Sequence, residues 1–438
     1  MKSELSLSEN YPNYNTLLKD DILKFIAEHQ NKEVTQTLLQ LPKEYQELRI
    51  EIGNQIKSLQ KSKLKLPLWY ATKKILFPPS LSIEQASSEI TAKYKASLLE
   101  RDTGKNDLKK QTLIDLTGGM GVDSFYFSKR VNKVIYIEQN ELLASLARHN
   151  FDILGAKNIE VICGNSEEFL KKVAEEGNSF DWIYLDPARR DNVQKKVFLL
   201  EDCQPNMVEV WEKFKKVGKN WLLKTAPLLD IQLVLGRLDG VENVEVVALQ
   251  NECKEVLYQF DSSKNSIEFE KIVINTINLH AKNSEKENYE IVDAERFDFS
   301  LQEEKDFFID YTSENKIQDY LYEPNVAILK AGAFKSIAQK YELNKLSIHT
   351  HLYTAAFLKE NFVGRIFKVL EVVPYSKKEV KRKFGKGFFN VVTRNFPIVV
   401  KELRKQFQIS EGKGEFLFFT TLTSHSADQK IVLRVKKI

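Results

Sequence analysis

The chain is poor in the residues that build disulfide frameworks and metal centres. Its 438 residues include only three cysteines and six histidines. Cys163, Cys203 and Cys253 are an odd set at wide spacing without a Cys-x-x-Cys pair, which predicts reduced thiols and excludes a disulfide frame or a zinc knuckle. His349 and His351 form the one close histidine pair, and no third ligand lies in register with them. We therefore expect no metal site.

Long apolar runs are also missing. No segment reaches the roughly 18 apolar residues of a membrane span, and the start, Met1-Lys2-Ser3-Glu4, lacks the apolar stretch of a signal peptide. We expect a cytoplasmic protein without a membrane anchor. A hydrophobic content of 42% is ample for packed cores, and the length predicts two to four domains of about 100 to 200 residues.

Positive charge is concentrated in two places. Residues 365–438 contain 17 Lys and Arg against 6 Asp and Glu, which gives this segment a net charge of +11. Since the whole chain has a net charge of +4, residues 1–364 carry −7. Such a split predicts a tail domain that faces a polyanion such as RNA. A second basic island, without acids, includes Trp69 and Tyr70, which would suit phosphates and an unstacked base. The lysines of this island are Lys57, Lys61, Lys63, Lys65, Lys73 and Lys74. The alternative interpretation of the island is a solvated helix surface whose aromatic side chains pack inward.

Residues 1–100 have the apolar spacing of helices. Pro67 and the Pro78-Pro79 pair should divide them. Ser82 with Gln85 fits a capping box, which predicts a helix from there to about Leu99.

Residues 101–262 are predicted to form one α/β domain. Apolar strand patterns alternate with helical ones, which predicts a mostly parallel, doubly wound, Rossmann-like sheet. The last two strands are too close together for a helix, so residues 251–254 should join them as an antiparallel hairpin at the sheet edge. The predicted strands are 112–116, 133–138, 159–163, 180–185, 220–225, 244–249 and 255–260.

The remaining sequence predicts α+β structure. We expect a small α+β or linker segment over 263–322 and a basic α+β domain over 323–438, entered through Tyr322-Glu323-Pro324-Asn325. A strand is predicted over 267–279. The expected elements of the last domain are helices at 326–340 and 398–407 and strands at 362–373, 388–393, 416–422 and 431–435.

Two sharp strand-to-loop turns carry the chemistry. The run Leu113–Ser124 is an apolar strand that ends in Asp115 and opens into glycines, which permit close approach of a ligand to the backbone. The run Ile183–Arg190 repeats this plan, with Pro187 fixing Asp186 at a strand's carboxyl end. Since open α/β sheets bind ligands at that edge, the two turns predict a nucleotide beside a substrate.

Further candidates follow the next strands. Glu138 ends the second strand, 23 residues after Asp115, where an acid can take both ribose hydroxyls. Asn165 follows the third and would contact an adenine edge, cap the next helix, or do both. The predicted cofactor-binding set is Asp115, Thr117, Gly118, Gly119, Gly121, Glu138, Asn165 and Asp186.

With these elements in order, residues 80–262 resemble the class I S-adenosylmethionine-dependent methyltransferases. Over most of its length the chain looks like a bacterial group of these enzymes with a THUMP-like C-terminal domain; the 263–322 segment would then be ferredoxin-like. This resemblance implies S-adenosylmethionine as cofactor and RNA as partner. Asp186, Pro187 and Arg189 are the catalytic candidates that it implies. Many amino-methylating relatives have an aromatic ring after the Asp-Pro turn, whereas this chain has Ala188-Arg189, and Arg189 or Arg190 would stack or clamp a phosphate instead.

Other residues are weaker candidates. Lys224 and Glu252 would line the same rim or form buried ion pairs. Ser87, Ser88 and Glu89, ahead of the glycine loop, would cover the cofactor or cap a helix. Trp182, Trp211 and Trp221 are expected in the core.

We therefore expect a methyltransferase that acts on a base in RNA, either rRNA or tRNA, by direct in-line transfer. The alternatives are a methyltransferase for a small molecule or protein, and a non-enzymatic RNA-binding protein on the same scaffold. Oligomeric state is open.

Overall fold

The computed structural model describes residues 7–100, 105–189, 200–262, 267–283, 289–311, 317–423 and 428–438. The chain forms two compact units. The first contains residues 1–242, 255–267 and 280–293, and the second contains 243–254, 268–279 and 294–438.

The first unit begins with short helices that proline separates, as predicted. Pro67 occupies the first turn of one helix, and Pro79 is the N-cap of the next. The helices are α1 (Leu7–Asn10), α2 (Pro12–Thr16), α3 (Asp20–His29), α4 (Val34–Leu39), a 3₁₀ turn (Lys43–Leu48), α5 (Arg49–Lys65), α6 (Pro67–Ala71), α7 (Ser80–Gln85), α8 (Glu89–Leu98) and α9 (Lys105–Leu108).

The predicted helix from Ser82 to Leu99 is wrong, because the chain breaks between α7 and α8. No side chain caps α7. The functional cap is Ser88, whose hydroxyl accepts the backbone N–H of Thr91 at 3.2 Å and starts α8. Ser87, just ahead of this cap, is buried, and its hydroxyl donates to the Asp123 carboxylate at 2.8 Å.

Strands and helices then alternate, as the sequence predicts. The elements are β1 (Thr112–Asp115), α10 (Val122–Ser128), β2 (Lys133–Glu138), α11 (Glu141–Ile153), β3 (Ile159–Cys163), α12 (Ser166–Glu175), β4 (Phe180–Leu185), β5 (Ala188–Arg189), a 3₁₀ turn (Leu200–Asp202), β6 (Cys203–Gln204), α13 (Met207–Phe214), a 3₁₀ turn (Lys215–Val217), β7 (Gly218–Thr225), α14 (Ile231–Arg237), β8 (Val241–Leu249) and β9 (Glu252–Asp261).

The central sheet of the first unit has the order β3-β2-β1-β4-β7-β9. The pairs among β3, β2, β1, β4 and β7 are parallel, and β9 runs antiparallel to β7. The doubly wound sheet is therefore confirmed, and the parallel strands place their carboxyl ends along one edge. Trp182, Trp211 and Trp221 are buried, as expected.

The hairpin that follows β8 differs in detail from its prediction. The turn is Gln250-Asn251, both with positive φ (52° and 60°), and β9 already begins at Glu252. The placement of the hairpin at the sheet edge is wrong, since β8 pairs in parallel with a further strand, β10 (Val273–Asn283). The strand predicted at 267–279 is present as β10, which follows a 3₁₀ turn at Phe269–Lys271.

The second unit contains a seven-stranded mixed sheet in the order β13-β14-β12-β15-β18-β17-β16. The predicted helix at 326–340 is two helices, because Gly332 adopts φ 82° and ends the first. The elements are β11 (Tyr289–Ser300), α15 (Leu301–Asp306), β12 (Tyr320–Pro324), α16 (Val326–Ala331), α17 (Phe334–Tyr341), β13 (Asn344–Ser347), β14 (Thr350–Ala355), β15 (Gly364–Pro374), α18 (Lys377–Phe384), β16 (Asn390–Arg394), α19 (Val400–Phe407), β17 (Glu415–Thr423) and β18 (Asp428–Lys437).

Among the described helices, none combines the length and the apolar character needed to cross a bilayer.

Candidate cofactor and substrate site

The glycine loop after β1 is shaped by close contacts that a side chain would prevent. A Cβ on Gly118 would lie 2.2 Å from the Tyr136 ring, and one on Gly121 would lie 2.5 Å from the Phe151 ring. Gly119 and Gly121 also have φ of 53° and 84°, which glycine adopts at little cost. The loop is therefore fixed in position, and Gly121 caps the N-terminus of α10.

Asp115 lies inside the loop. Its carboxylate accepts the Ser124 hydroxyl at 2.6 Å and the Thr117 backbone N–H at 3.0 Å. Burial raises the pKa of the Asp115 carboxyl to about 7, against the opposing effect of these hydrogen bonds. With only 1% of its surface exposed, Asp115 acts on the site by shaping the loop.

Glu138 stands at the end of β2 beside the same loop. Its carboxylate accepts the backbone N–H of Gly119 at 2.9 Å and that of Asn140 at 2.8 Å. The side chain is half-buried. Two backbone donors thus orient an acid at the strand tip, where it can accept hydrogen bonds from a diol.

Asn165, after β3, caps α12. Its side-chain oxygen accepts the backbone N–H groups of Glu167 at 2.9 Å and Glu168 at 3.1 Å. The capping interpretation of Asn165 is thus confirmed, and the exposed residue remains at the same sheet edge.

The Asp186-Pro187 turn is tied directly to the glycine loop. The backbone N–H of Asp186 donates to the Thr117 hydroxyl at 2.7 Å. Since Thr117 belongs to the first loop and Asp186 to the second, this bond joins the two predicted halves of the site. The Asp186 carboxylate retains 32% side-chain exposure, and Pro187 is half-buried.

Lys224, near the end of β7, forms a close ion pair with Asp186. Burial alone would lower the pKa of Lys224, but the carboxylates of Asp186, Glu255 and Asp123 raise it above the usual lysine value. Lys224 therefore stays charged. The predicted proximity of Lys224 to Asp186 is present in the structure.

A buried charged cluster, which the sequence did not reveal, lies beneath these loops. Lys95 has no exposed surface and contacts Glu255 at 2.7 Å and Asp123 at 3.2 Å. Asp123 also accepts the hydroxyls of Ser87 and Tyr184, each at 2.8 Å. The cluster joins α8, α10, β4 and β9. Lys95 and Glu255 are 160 residues apart in the sequence, so no sequence spacing could have identified the cluster.

Ser88, Glu89 and Glu252 have structural partners. Ser88 is the cap of α8. Glu89 is buried and accepts the Leu68 backbone N–H at 2.6 Å and the Tyr126 hydroxyl at 2.8 Å. Glu252 is exposed and pairs with Lys254 at 2.8 Å, so its predicted buried ion pair is wrong.

The arginines after Pro187 are only partly described. Arg189 lies in β5, where it pairs with Cys203, and its side chain, like the whole of Arg190, is outside the described residues.

The basic island at 57–74 has a mixed character. Trp69 is fully buried, so this ring cannot stack on a base. Lys61 pairs closely with Glu84, whereas Lys57 and Lys73 are exposed. Within the described ranges, no group of three His, Cys, Asp or Glu side chains is arranged to hold a metal.

A parallel sheet with a glycine loop, a strand-end acid and an Asp-Pro turn defines the class I methyltransferase fold. Three family models match parts of the chain: Conserved hypothetical protein 95 over residues 93–216, a ferredoxin-like domain over 320–362, and a THUMP domain-like family over 364–437. A crystal structure from Porphyromonas gingivalis W83, described as a "putative methyltransferase", is 31% identical, with a TM-score of 0.81 over 97% of this chain and 98% of that one. The chain therefore belongs to the S-adenosylmethionine-dependent methyltransferase family with a THUMP-like C-terminal domain.

Two curated relatives match more locally. An uncharacterized RNA methyltransferase of Caldanaerobacter subterraneus subsp. tengcongensis is 31% identical over 88 residues, which is 20% of this chain and 19% of that protein. Another from Lactobacillus johnsonii is 28% identical over 148 residues, or 31% of this chain and 32% of the relative. The chain thus spans about a fifth to a third of these relatives.

Proposed function

We propose that this protein transfers a methyl group from S-adenosylmethionine to an exocyclic amine of a base in RNA. The observation that carries the proposal is the Asp186-Pro187 turn, which the Thr117 hydroxyl joins to the glycine loop at 2.7 Å. One half of the site would hold the cofactor and the other the acceptor. The THUMP-like match and the two relatives named as RNA methyltransferases support RNA as the substrate.

The residues of the first loop suit this cofactor. Gly118 and Gly121 let the loop pack closely on the protein's own aromatic rings, and Gly119 adopts a positive φ, so the loop backbone that would meet the cofactor is held in place. The backbone N–H groups at the start of α10 can donate hydrogen bonds to an anion and would bind the carboxylate of the cofactor. The Glu138 carboxylate would accept the ribose hydroxyls, and Asn165 would lie beside the adenine.

When bound, S-adenosylmethionine supplies an already electrophilic methyl group. The protein's tasks are then alignment and the exclusion of water. Asp186 would accept a hydrogen bond from the amine, which would direct the lone pair of the amine nitrogen towards the methyl carbon. Pro187 limits the backbone motion of the turn. Lys224 holds one side of the Asp186 carboxylate, which leaves the other for the base. In this transfer the N–C bond would form as the sulfonium S–C bond breaks and leaves S-adenosylhomocysteine, and the methylated amine would then release its extra proton to water.

The test compares modified nucleosides in RNA from cells with and without the gene. One nucleoside should disappear with the gene and return with the wild-type copy. Asp186→Ala should not restore it, and Asp186→Asn, which keeps the shape of the side chain, should slow transfer by about 100-fold or more. The control is Asp152→Ala, an exposed acid on α11.

The outcomes separate cofactor from substrate. Calorimetry of the purified protein should detect S-adenosylmethionine binding that Glu138→Ala weakens. If the cofactor binds but no RNA nucleoside changes, the substrate is not RNA. If the cofactor does not bind to folded protein, the enzymatic proposal itself is wrong.

A further inference from the structure

The turn between α18 and β16 presents an aromatic ring to solvent. Phe388 is 71% exposed. The adjacent Phe389 points the other way and packs on Phe384, with ring centroids 5.8 Å apart. Most of the Phe388 ring therefore makes no contact with the core of its own unit.

Close backbone packing fixes this turn. A Cβ on Gly387 would lie 2.5 Å from the Phe389 ring, and one on Gly412 would lie 2.4 Å from the Phe388 carbonyl oxygen. A Cβ on Gly385 would lie 2.3 Å from the carbonyl oxygen of Lys381. Glycine is thus required at all three positions for the 385–389 turn to approach its neighbours.

Hydrogen bonds hold the turn against the segment that follows α19. The Ser410 N–H donates to the Gly387 carbonyl at 2.9 Å, and the Phe389 N–H donates to the Ser410 carbonyl at 3.0 Å. The Arg404 guanidinium adds a bond to the Phe389 carbonyl at 3.3 Å. The exposed ring therefore stands on a fixed support, so little entropy is lost when a ligand binds to it.

Three exposed lysines lie in the turn or in the segments that its backbone contacts. Lys386 is two residues before Phe388, and the Lys386 backbone N–H donates to the Phe407 carbonyl at 3.1 Å. Lys405 is two residues before Phe407. Lys413 follows the glycine that packs on Phe388. Among the described residues none of these three lysines forms an ion pair, although Glu411 is an exposed acid on the same loop. By contrast, Arg382 and Lys383 on α18 pair with Glu379 and Glu371.

We propose that Phe388 stacks on an unpaired base of the RNA substrate while Lys386, Lys405 and Lys413 contact the neighbouring phosphates. An aromatic ring among unpaired cations suits single-stranded nucleic acid, because every base has a face to stack and every linkage has a negative charge. The inference rests on the proposed RNA substrate and adds that the second unit recognises an unpaired segment.

The experiment measures binding of the full-length protein to a fluorescent 12-nucleotide single-stranded RNA of mixed sequence, as a function of salt. Phe388→Ala should weaken binding by roughly 5- to 140-fold without changing the salt dependence. Phe388→Trp should bind at least as well as wild type. Lys386→Ala should lower the slope of log K against log salt by about 0.7. Phe357→Ala removes a ring that is 79% exposed elsewhere in the second unit and is the matched control.

The results distinguish this inference from the proposed function. If wild type binds the RNA and Phe388→Ala binds equally well, the ring does not stack on a base and serves another partner, while RNA methylation stands. If Phe388→Ala and Phe357→Ala weaken binding equally, the effect is nonspecific and the inference is wrong. Methylation of a small molecule or protein, with no RNA nucleoside changed, would remove the proposed function and this inference together.

Discussion

The two lysines close to the loops of the first unit are largely buried and paired with carboxylates, whereas the lysines in and near the 385–389 turn of the second unit are exposed and form no ion pair among the described residues. Lys95 and Lys224 each have carboxylate partners in low-dielectric surroundings, which salt screens weakly. Lys386 and Lys413 face water, where their effect depends on ionic strength. The first arrangement holds its side chains in fixed positions, and the second is the one that we propose attracts RNA.

The largest expected change in stability follows from removing the buried charge of Lys95. Lys95→Met leaves Glu255 and Asp123 buried without their nearest cation, which should lower the free energy of unfolding by about 3–5 kcal/mol. All four tryptophans lie in the first unit, so tryptophan fluorescence during urea unfolding reports on this unit. The control is Lys213→Met, which breaks an exposed i,i+4 pair with Glu209 and should change stability by less than about 0.5 kcal/mol. Equal effects would show that burial does not distinguish the two kinds of charge.

The second prediction concerns the rigidity of the glycine loop. Gly118→Ala places a methyl group against the Tyr136 ring and should cost about 1–3 kcal/mol of stability. It should also weaken S-adenosylmethionine binding, measured by calorimetry, because the loop must shift. At Gly164 no atom lies within 4 Å of an added Cβ, so Gly164→Ala is the control. Unchanged affinity in Gly118→Ala would mean that the cofactor does not depend on this loop.

Sequence patterns predicted the sheet well because its strands are buried on both faces and read as separate apolar runs. They also located Asp115, Glu138 and Asp186, since an acid after such a run marks a strand end. They failed where a contact between distant residues decides the structure. Ser82 had the spacing of a cap, but the cap is Ser88, and Ser87 just before it bonds Asp123, 36 residues away.

The buried cluster was hidden for the same reason. Lys95 sits on a helix and Glu255 on a strand 160 residues later, and each looks like an ordinary surface charge in sequence. Trp69 was ambiguous because an aromatic residue among lysines suits either a base or the core, and its complete burial decided the matter. Composition shows that charge is present, and only the fold shows whether it faces water.

The third prediction is a pH dependence of the first unit. The pKa of Asp115 is about 7 in the folded state, above its value of about 3.9 in an unfolded chain. The folded state therefore holds a proton that the unfolded state releases. The contribution of Asp115 to stability should be full below about pH 4 and decline as the pH rises to about 7, by at most about 1.4 kcal/mol per pH unit.

Asp115→Asn removes this titration and keeps a polar side chain of similar shape. Its stability relative to wild type should rise between pH 5 and pH 8, measured by urea unfolding with tryptophan fluorescence. A difference that stays constant over this range would mean that the Asp115 carboxyl titrates at an ordinary value despite its burial. The control is Asp152→Asn, whose exposed side chain should give no such trend.

The smallest expected effect is a change in the salt dependence of RNA binding, and it concerns paired and unpaired lysines within the basic island at 57–74. Lys57 and Lys73 are exposed, whereas Lys61 is held by Glu84. If the island contacts RNA, Lys57→Ala and Lys73→Ala should each lower the slope of log K against log salt by about 0.7, and Lys61→Ala should change it less, because Glu84 already offsets its charge. Equal slopes in all three variants and wild type would assign RNA attraction to the second unit alone and leave the island as a solvated helix surface.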